Sequence, residues 1–260
     1  MGKIEKILNS KLVERGKRKL ALFTGMHMKL KRLSPSSSED YRTVKILNTF
    51  NFDKVLDVGA NTGQFAESLI DFGFKGEIVS FEPTTGPFNK LCKRVSKYKN
   101  WKLAEKCAIG DIDGSIDINI SKNSIFSSIK KISTAYSSYN LDSSIIDKEK
   151  VLIYKLDSLQ NKYYDKNESI FLKIDTQGYE KEVLKGATEL LKFVKGIKIE
   201  IPLQPIYDDV SWNAMEIFNF FEERGFACIS LNEVAVNNET GIVHEIDGIF
   251  IKKELLPIKK

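Results

Sequence analysis

Ten residues, Lys54–Gly63, dictate more of this chain's architecture than any other stretch. They read K-V-L-D-V-G-A-N-T-G. The apolar run Val55–Val58 is broken by one carboxylate, Asp57. Gly59, Asn61 and Gly63 follow within five residues, and Gln64–Phe72 has the pattern of a helix. Strand, glycine turn and helix form the unit from which doubly wound α/β sheets are built. Glycine in that turn lets a ligand come close to the backbone, because no Cβ intervenes. A second strand, Glu77–Phe81, runs into Glu82-Pro83. An acid at the end of the second strand is where such folds grip a ribose diol.

Two adenosine-bearing cofactors compete for this pattern. The dinucleotide fingerprint is G-x-G-x-x-G, whereas the spacing here is G-x-N-x-G. Asp57, two residues before Gly59, would repel a pyrophosphate and suits a cationic amino-acid ligand. The pattern therefore favours S-adenosylmethionine over NAD. Asp57, Gly59, Asn61 and Gly63 would surround the methionine moiety, and Glu82 would accept from the ribose hydroxyls. The plainer alternative is an ordinary βα turn with no ligand.

The chain has 260 residues, 42% hydrophobic and 29% charged, enough for a sizeable core. Three cysteines, Cys92, Cys107 and Cys228, lie far apart without C-x-x-C spacing. This argues for a reducing, cytoplasmic compartment and against a disulfide framework or zinc site. His27 and His244 are the only histidines, and neither has metal-ligand spacing. The charge is uneven. Residues 1–32 carry ten Lys/Arg and two acids, a net +8 in a chain of net +5. The rest is therefore slightly acidic and shows no basic stripe with interleaved aromatics. Ile4, Ile7, Leu8 and Leu12 in the leader fall at helical spacing. It reads as an amphipathic helix that packs on the domain or a partner subunit, as in a homodimer, or that meets anionic lipid at the inner face of a membrane. No apolar run is long enough for a signal-peptide core or a membrane span. Ser34–Ser38 is a linker, so residues 1–35 are expected to be a basic helical leader and 36–260 a single catalytic domain.

Beyond the glycine turn, helices are expected over residues 39–50, from Pro87 to Lys97, over 179–192 and from Ser211 to Arg224. Lys102–Ile109 reads as a third strand, with a hairpin inside Ala108–Ile120. Asp111, just after that strand, is a candidate contact for an adenine amino group. Residues 121–150 are serine-rich, nine of thirty, and read as either a lid or a surface loop. Val151–Leu156, Ile170–Ile174 and Gly196–Ile201 read as further strands. Ala227–Leu231 and Gly248–Lys252 form a closing hairpin around Asn237–Gly241. Asp57, Glu82 and Asp175 each sit at the carboxyl end of a strand, where open α/β sheets bind ligands. Asp175 is thus the candidate base or acceptor-orienting group. Glu200, inside an apolar strand, needs a partner, and Lys173 on the neighbouring strand is expected to supply it. A divalent cation on Asp175 and Glu200 is conceivable chemically, but no metal motif is present and none is predicted.

D-V-G-A-N-T-G-Q-F, S-F-E-P, L-K-I-D-T-Q-G-Y-E, V-L-K-G-A and E-I-P-L-Q-P-I-Y, in this order over about residues 40–252, together resemble the FkbM-type methyltransferases. The resemblance implies a class I methyltransferase fold: a mostly parallel Rossmann-like sheet with an antiparallel last strand. It also implies S-adenosylmethionine as donor, S-adenosylhomocysteine as product and a hydroxyl oxygen as acceptor. Members act on sugars, natural products and glycolipid or polysaccharide precursors. Two other readings stay open, an RNA ribose 2′-O-methyltransferase and a non-catalytic S-adenosylmethionine-binding protein. The uneven charge, with no basic stripe on the body, argues against nucleic acid.

Overall fold

The structure, a computed structural model, describes residues 33–124, 127–130, 144–204 and 212–257. The expected leader helix and half of the serine-rich insertion lie outside these residues. The chain divides after Ser38, and the sheet and the site both belong to the unit that begins at Glu39. No helix among the described residues is long and apolar enough to cross a membrane.

Five apolar runs form the parallel heart of a seven-stranded sheet. In chain order they are β1 (Lys54–Val58), β2 (Glu77–Phe81), β3 (Trp101–Leu103), β7 (Ile170–Ile174) and β8 (Gly196–Pro202). β1 and β7 are buried at every position, as strands covered on both faces must be. The sheet order is β3-β2-β1-β7-β8-β10-β9, where β9 is Phe226–Val236 and β10 is Val243–Lys252. β10 runs antiparallel to both neighbours. This is the expected class I methyltransferase sheet with an antiparallel last strand. The order reverses between β1 and β7, which opens the crevice where such folds bind ligands.

Alternation along the strands sorts the core into two layers. Leu56, Val58, Phe81, Leu172 and Ile174 face one layer, packed with Val183, Leu184, Ile217 and Phe221 of α4 (Glu180–Lys185) and α5 (Ala214–Glu223). Val55, Ile78 and Phe171 face the other. There α1 (Glu39–Thr49) contributes Val44 and Leu47, α2 (Gln64–Asp71) Ala66 and Leu69, and α3 (Thr85–Val95) Leu91. α5 starts from a reciprocal cap: Asn213 Oδ1 accepts from Glu216 N at 3.0 Å, and Glu216 Oε2 accepts from Asn213 N at 2.9 Å.

Several expectations need correction. Lys102–Ile109 is not one strand. It breaks at Ala104–Lys106 into β3 and β4 (Cys107–Ile109), which belong to different sheets. β4 and β5 (Gly114–Ser121) do not form a hairpin, because β6 (Ile145–Tyr154) lies between them, parallel to β4 and antiparallel to β5. β6 begins six residues before the expected Val151. The charged run Asp147–Lys150 hid it, yet these residues pair with Asp117–Ile120. Pro87 is the third residue of α3, not its first. The helix expected over 179–192 is a six-residue helix followed, after Gly186, by a separate 3-10 turn at Leu190–Lys192.

Candidate active site

The site begins with a polar row buried in the sheet. Ser80, Asp57 and Lys173 are register neighbours on β2, β1 and β7. Trp101 Nε1 donates to Ser80 Oγ at 2.9 Å, and Ser80 Oγ donates to Asp57 Oδ2 at 2.8 Å. Lys173 Nζ stands 3.2 Å from Asp57 Oδ1 and 3.3 Å from Asp175 Oδ2, and donates to Gly59 O at 2.9 Å. Desolvation alone would depress the Lys173 ammonium, but Asp175 and Asp57 outweigh it and hold it firmly protonated. A buried charge is tolerated only when paired in this way. Lys198, the register neighbour of Lys173 on β8, extends the row. It pairs with Glu39 at 2.7 Å and Asp247 at 2.8 Å. Both ammonium groups lie over the ring of Phe65, in the first turn of α2, at 5.6 and 5.4 Å from its centroid.

Above the row is the glycine turn. Gly59 has φ +75, and a Cβ there would stand 1.8 Å from the Asp175 carbonyl oxygen. Only glycine allows the β1 turn and the β7 turn to touch. Gly63, φ +90, fits against Leu91 and Trp101, and Asn61 also takes positive φ. Glu82 ties this turn to the next. Its Oε2 accepts from Asn61 N at 2.8 Å, and its Oε1 accepts from Thr84 N at 2.9 Å and from the Thr84 hydroxyl. Burial pushes the Glu82 carboxyl up, against these hydrogen bonds.

Between the turn, Glu82 and β7 lies a cavity of about 290 Å3. Ala108, Ile109, Ile118 and Ile129 make an apolar end, and Asn61, Glu82, Lys173 and Asp175 a polar one. Cys107 lines it as an inert thiol, pushed up to about 12 by burial. A second cleft of about 230 Å3, lined by Asp40, Lys198 and Asp247, shares Gln64, Phe65, Lys173 and Asp175 with the first.

Asp175 stands at this junction, its side chain 40% exposed. Desolvation works against its ionisation, but Lys173 and the Gln177 amide hold its carboxyl below the ordinary range. Gln177 Nε2 bridges Asp175 Oδ1 at 2.9 Å and Glu200 Oε2 at 3.1 Å. Glu180 Oε1 accepts from Thr176 N, Thr176 Oγ1 and Gly178 N, and so fastens the loop that carries Asp175. Burial and the neighbouring acids, Glu245 first, push the Glu200 carboxyl well up. Glu245 rises to about 8 for the same reasons, with Glu180 the first of its acidic neighbours. Asp247 rises to about 6 through burial, in spite of Lys198.

The expected residues fall into three groups. Gly59, Asn61, Glu82, Lys173 and Asp175 line the main cavity. Asp57 and Gly63 do not: Asp57 is fully buried and serves Lys173, and Gly63 packs on Leu91 and Trp101. Asp111 does not either, since the turn after β4 lies against Gly186, close to the Asp111 Cα. The expected Lys173–Glu200 pair is not formed, because Lys173 is held by Asp57 and Asp175, and the Gln177 amide reaches Glu200 instead. That amide also occupies the position a cation on Asp175 and Glu200 would need. Among the described residues no group of three or more His, Cys, Asp or Glu side chains could hold a metal. Sequence reasoning missed Ser80, Gln177 and Glu180. Ser80 faces Asp57 one strand away at the same height, a register that the aligned apolar runs of β1 and β2 could have indicated.

The chemistry of the side chains that line the cavity fits an adenosyl sulfonium. One end of the cavity is apolar, and carboxylates line the other; the two turn glycines pack against Asp175, Leu91 and Trp101 and do not open the backbone to a ligand. A family model described as the methyltransferase FkbM domain matches residues 57–228. No curated protein matches the chain. Among solved structures, magnesium protoporphyrin IX methyltransferase from Synechocystis with bound S-adenosylmethionine is 9% identical, covering 96% of this chain and 95% of that one at TM-score 0.43. An rRNA methylase from Streptococcus thermophilus is 12% identical over 86% of this chain and 99% of its own, TM-score 0.42. An S-adenosylmethionine-dependent methyltransferase from Aquifex aeolicus is 15% identical over 85% and 100%, TM-score 0.40.

Proposed function

Because the chain belongs to the FkbM-domain methyltransferases, and so uses S-adenosylmethionine, we propose that its acceptor is a hydroxyl oxygen of a sugar, a glycolipid or polysaccharide precursor, or a natural product. The observation that carries this reading is the position of Asp175, a paired and ionised carboxylate lining both the cavity behind the glycine turn and the polar cleft beside it.

S-adenosylmethionine supplies an electrophilic sulfonium methyl when bound. The Gly59–Gly63 turn would hold its methionine moiety, Glu82 its ribose hydroxyls, and the apolar end its base. Asp175 accepts a hydrogen bond from the acceptor hydroxyl and takes its proton on a carboxylate oxygen. Lys173 keeps that carboxylate ionised and, through Gly59 O, fixes it relative to the turn. Glu200 acts on Asp175 through Gln177, whose amide sets the carboxylate's orientation. Lys198 and Asp247 on the far wall of the cleft offer a donor and an acceptor to neighbouring hydroxyls. Fixing the acceptor oxygen in line is a large part of the rate gain.

The test has two steps. Calorimetric titration with S-adenosylmethionine, S-adenosylhomocysteine and NAD, on the wild type and Glu82→Ala, should give adenosyl binding that the variant weakens and no NAD binding. Mass spectrometry of a panel of sugars, glycolipids, phenols, amines and oligoribonucleotides should then show a gain of one methyl on a hydroxyl compound. Methylation of nitrogen or of RNA instead would overturn the proposal while leaving the family assignment intact.

A further inference from the structure

A second concave surface lies away from the cavity, between α4 and α5. It measures about 590 Å3, and five of its ten described lining residues are cations: Lys181, Lys185, Lys192, Arg224 and Lys252. None of the ten is an acid. Leu184 and Leu191 make the floor, and Trp212 and Phe220 one wall. The basic stripe not evident in the sequence is thus assembled by folding, from α4, the 3-10 turn, α5 and the end of β10. Two of its cations are only weakly neutralised. Lys192 pairs with Glu189 at 2.6 Å, and Arg224 approaches Glu223 at 3.9 Å, with all four side chains at least 41% exposed. Exposed pairs of this kind are worth little and rearrange easily. Lys252 donates to Arg224 O, and burial with Arg224 beside it lowers its ammonium.

The aromatic wall separates candidate anions. Trp212 and Phe220 pack edge to face at 5.0 Å. Arg224 lies 3.7 Å over the Phe220 ring, and Lys181 5.7 Å over Trp212. Ring faces engaged by cations are poor platforms for stacking bases, which single-stranded nucleic acid requires. An apolar floor with a cationic rim instead suits an amphiphile with an anionic head. We propose that the α4–α5 groove binds a phosphorylated lipid. Its phosphate would lie among Lys185, Lys192, Arg224 and Lys252, and its chain along Leu184, Leu191 and Trp212.

Trp212 makes this measurable in the full chain. The only other tryptophan, Trp101, is buried in β3 with its indole on Ser80. Dodecyl phosphate, titrated below its micelle concentration, should change the tryptophan emission saturably, and Trp212→Phe should abolish the signal. Lys185→Glu combined with Arg224→Glu should weaken binding by about tenfold or more, equivalent to 1.4 kcal/mol. If that pair fails to fold, Lys185→Gln with Arg224→Gln should act in the same direction. Inorganic phosphate and dodecyl maltoside should each bind at least about tenfold more weakly. Affinity unchanged by either pair of substitutions would overturn the proposal. So would phosphate or maltoside binding as tightly as dodecyl phosphate, or a single-stranded oligoribonucleotide displacing it at lower concentration.

Discussion

Asp175→Asn keeps the shape of the side chain and the Gln177 contact but removes the proton acceptor and one counter-charge of Lys173. Turnover should fall by about 10²- to 10³-fold, while S-adenosylhomocysteine affinity by calorimetry changes little. Full turnover would remove Asp175 from the reaction. Glu245 gives a test at the same scale through pH. Its folded value, about 8, lies above the ordinary 4.5. Between those values the folded chain keeps a proton that the unfolded chain has released, so stability falls as pH rises through that window. Glu245→Gln removes the dependence. Its melting temperature should exceed that of the wild type at pH 8 and approach it near pH 4.5. Equal shifts at both pH values would mean that packing of the side chain, not its ionisation, sets the difference. The identities of Gly59, Glu82 and Asp175 were legible in the sequence because each sits where a strand ends. Gln177 was not, because its role depends on two carboxylates from different strands converging on one amide.

The elements were read with uneven success, for physical reasons. β1, β2, β7 and β8 are short, mainly apolar runs buried on both faces, so the pattern and the element coincide. β6 was half missed because one side of a peripheral three-stranded sheet is open to solvent, and Ile145–Lys150 is largely exposed. β3 and β4 were merged because three intervening residues carry the change from one sheet to another. The start of α5 was misplaced by three residues, since Ser211 and Asn213 are both plausible caps and only the structure shows the Asn213–Glu216 reciprocity. That cap predicts a measurable cost: Asn213→Ala should lower unfolding free energy by about 1 kcal/mol, read from denaturant midpoints. Asn213→Asp should largely restore it. Loss in both variants alike would point to contacts of the amide other than the cap.

Across the whole molecule, the row from Trp101 through Ser80, Asp57 and Lys173 to Lys198 crosses β3, β2, β1, β7 and β8. One substitution in its middle is therefore felt throughout the sheet. Asp57→Asn leaves Lys173 with a single carboxylate and should destabilise the protein by roughly 3 kcal/mol, a fall of roughly 6–12 °C in melting temperature for a domain of this size. Bound S-adenosylhomocysteine should recover part of that loss. Doubly wound topology was readable from the order of strands and helices; the row was not, because it exists only once five separate segments are in register. The place of β10 has a consequence for synthesis on the ribosome. β9 is made first but has no neighbour in the sheet until β10 enters between it and β8. Until then β8 is a bare edge, and Lys198 lacks Asp247. A nascent chain halted between residues 236 and 243 would carry an open strand edge beside an under-neutralised lysine, the kind of surface that pairs with other chains. Translational pausing there is where aggregation should begin.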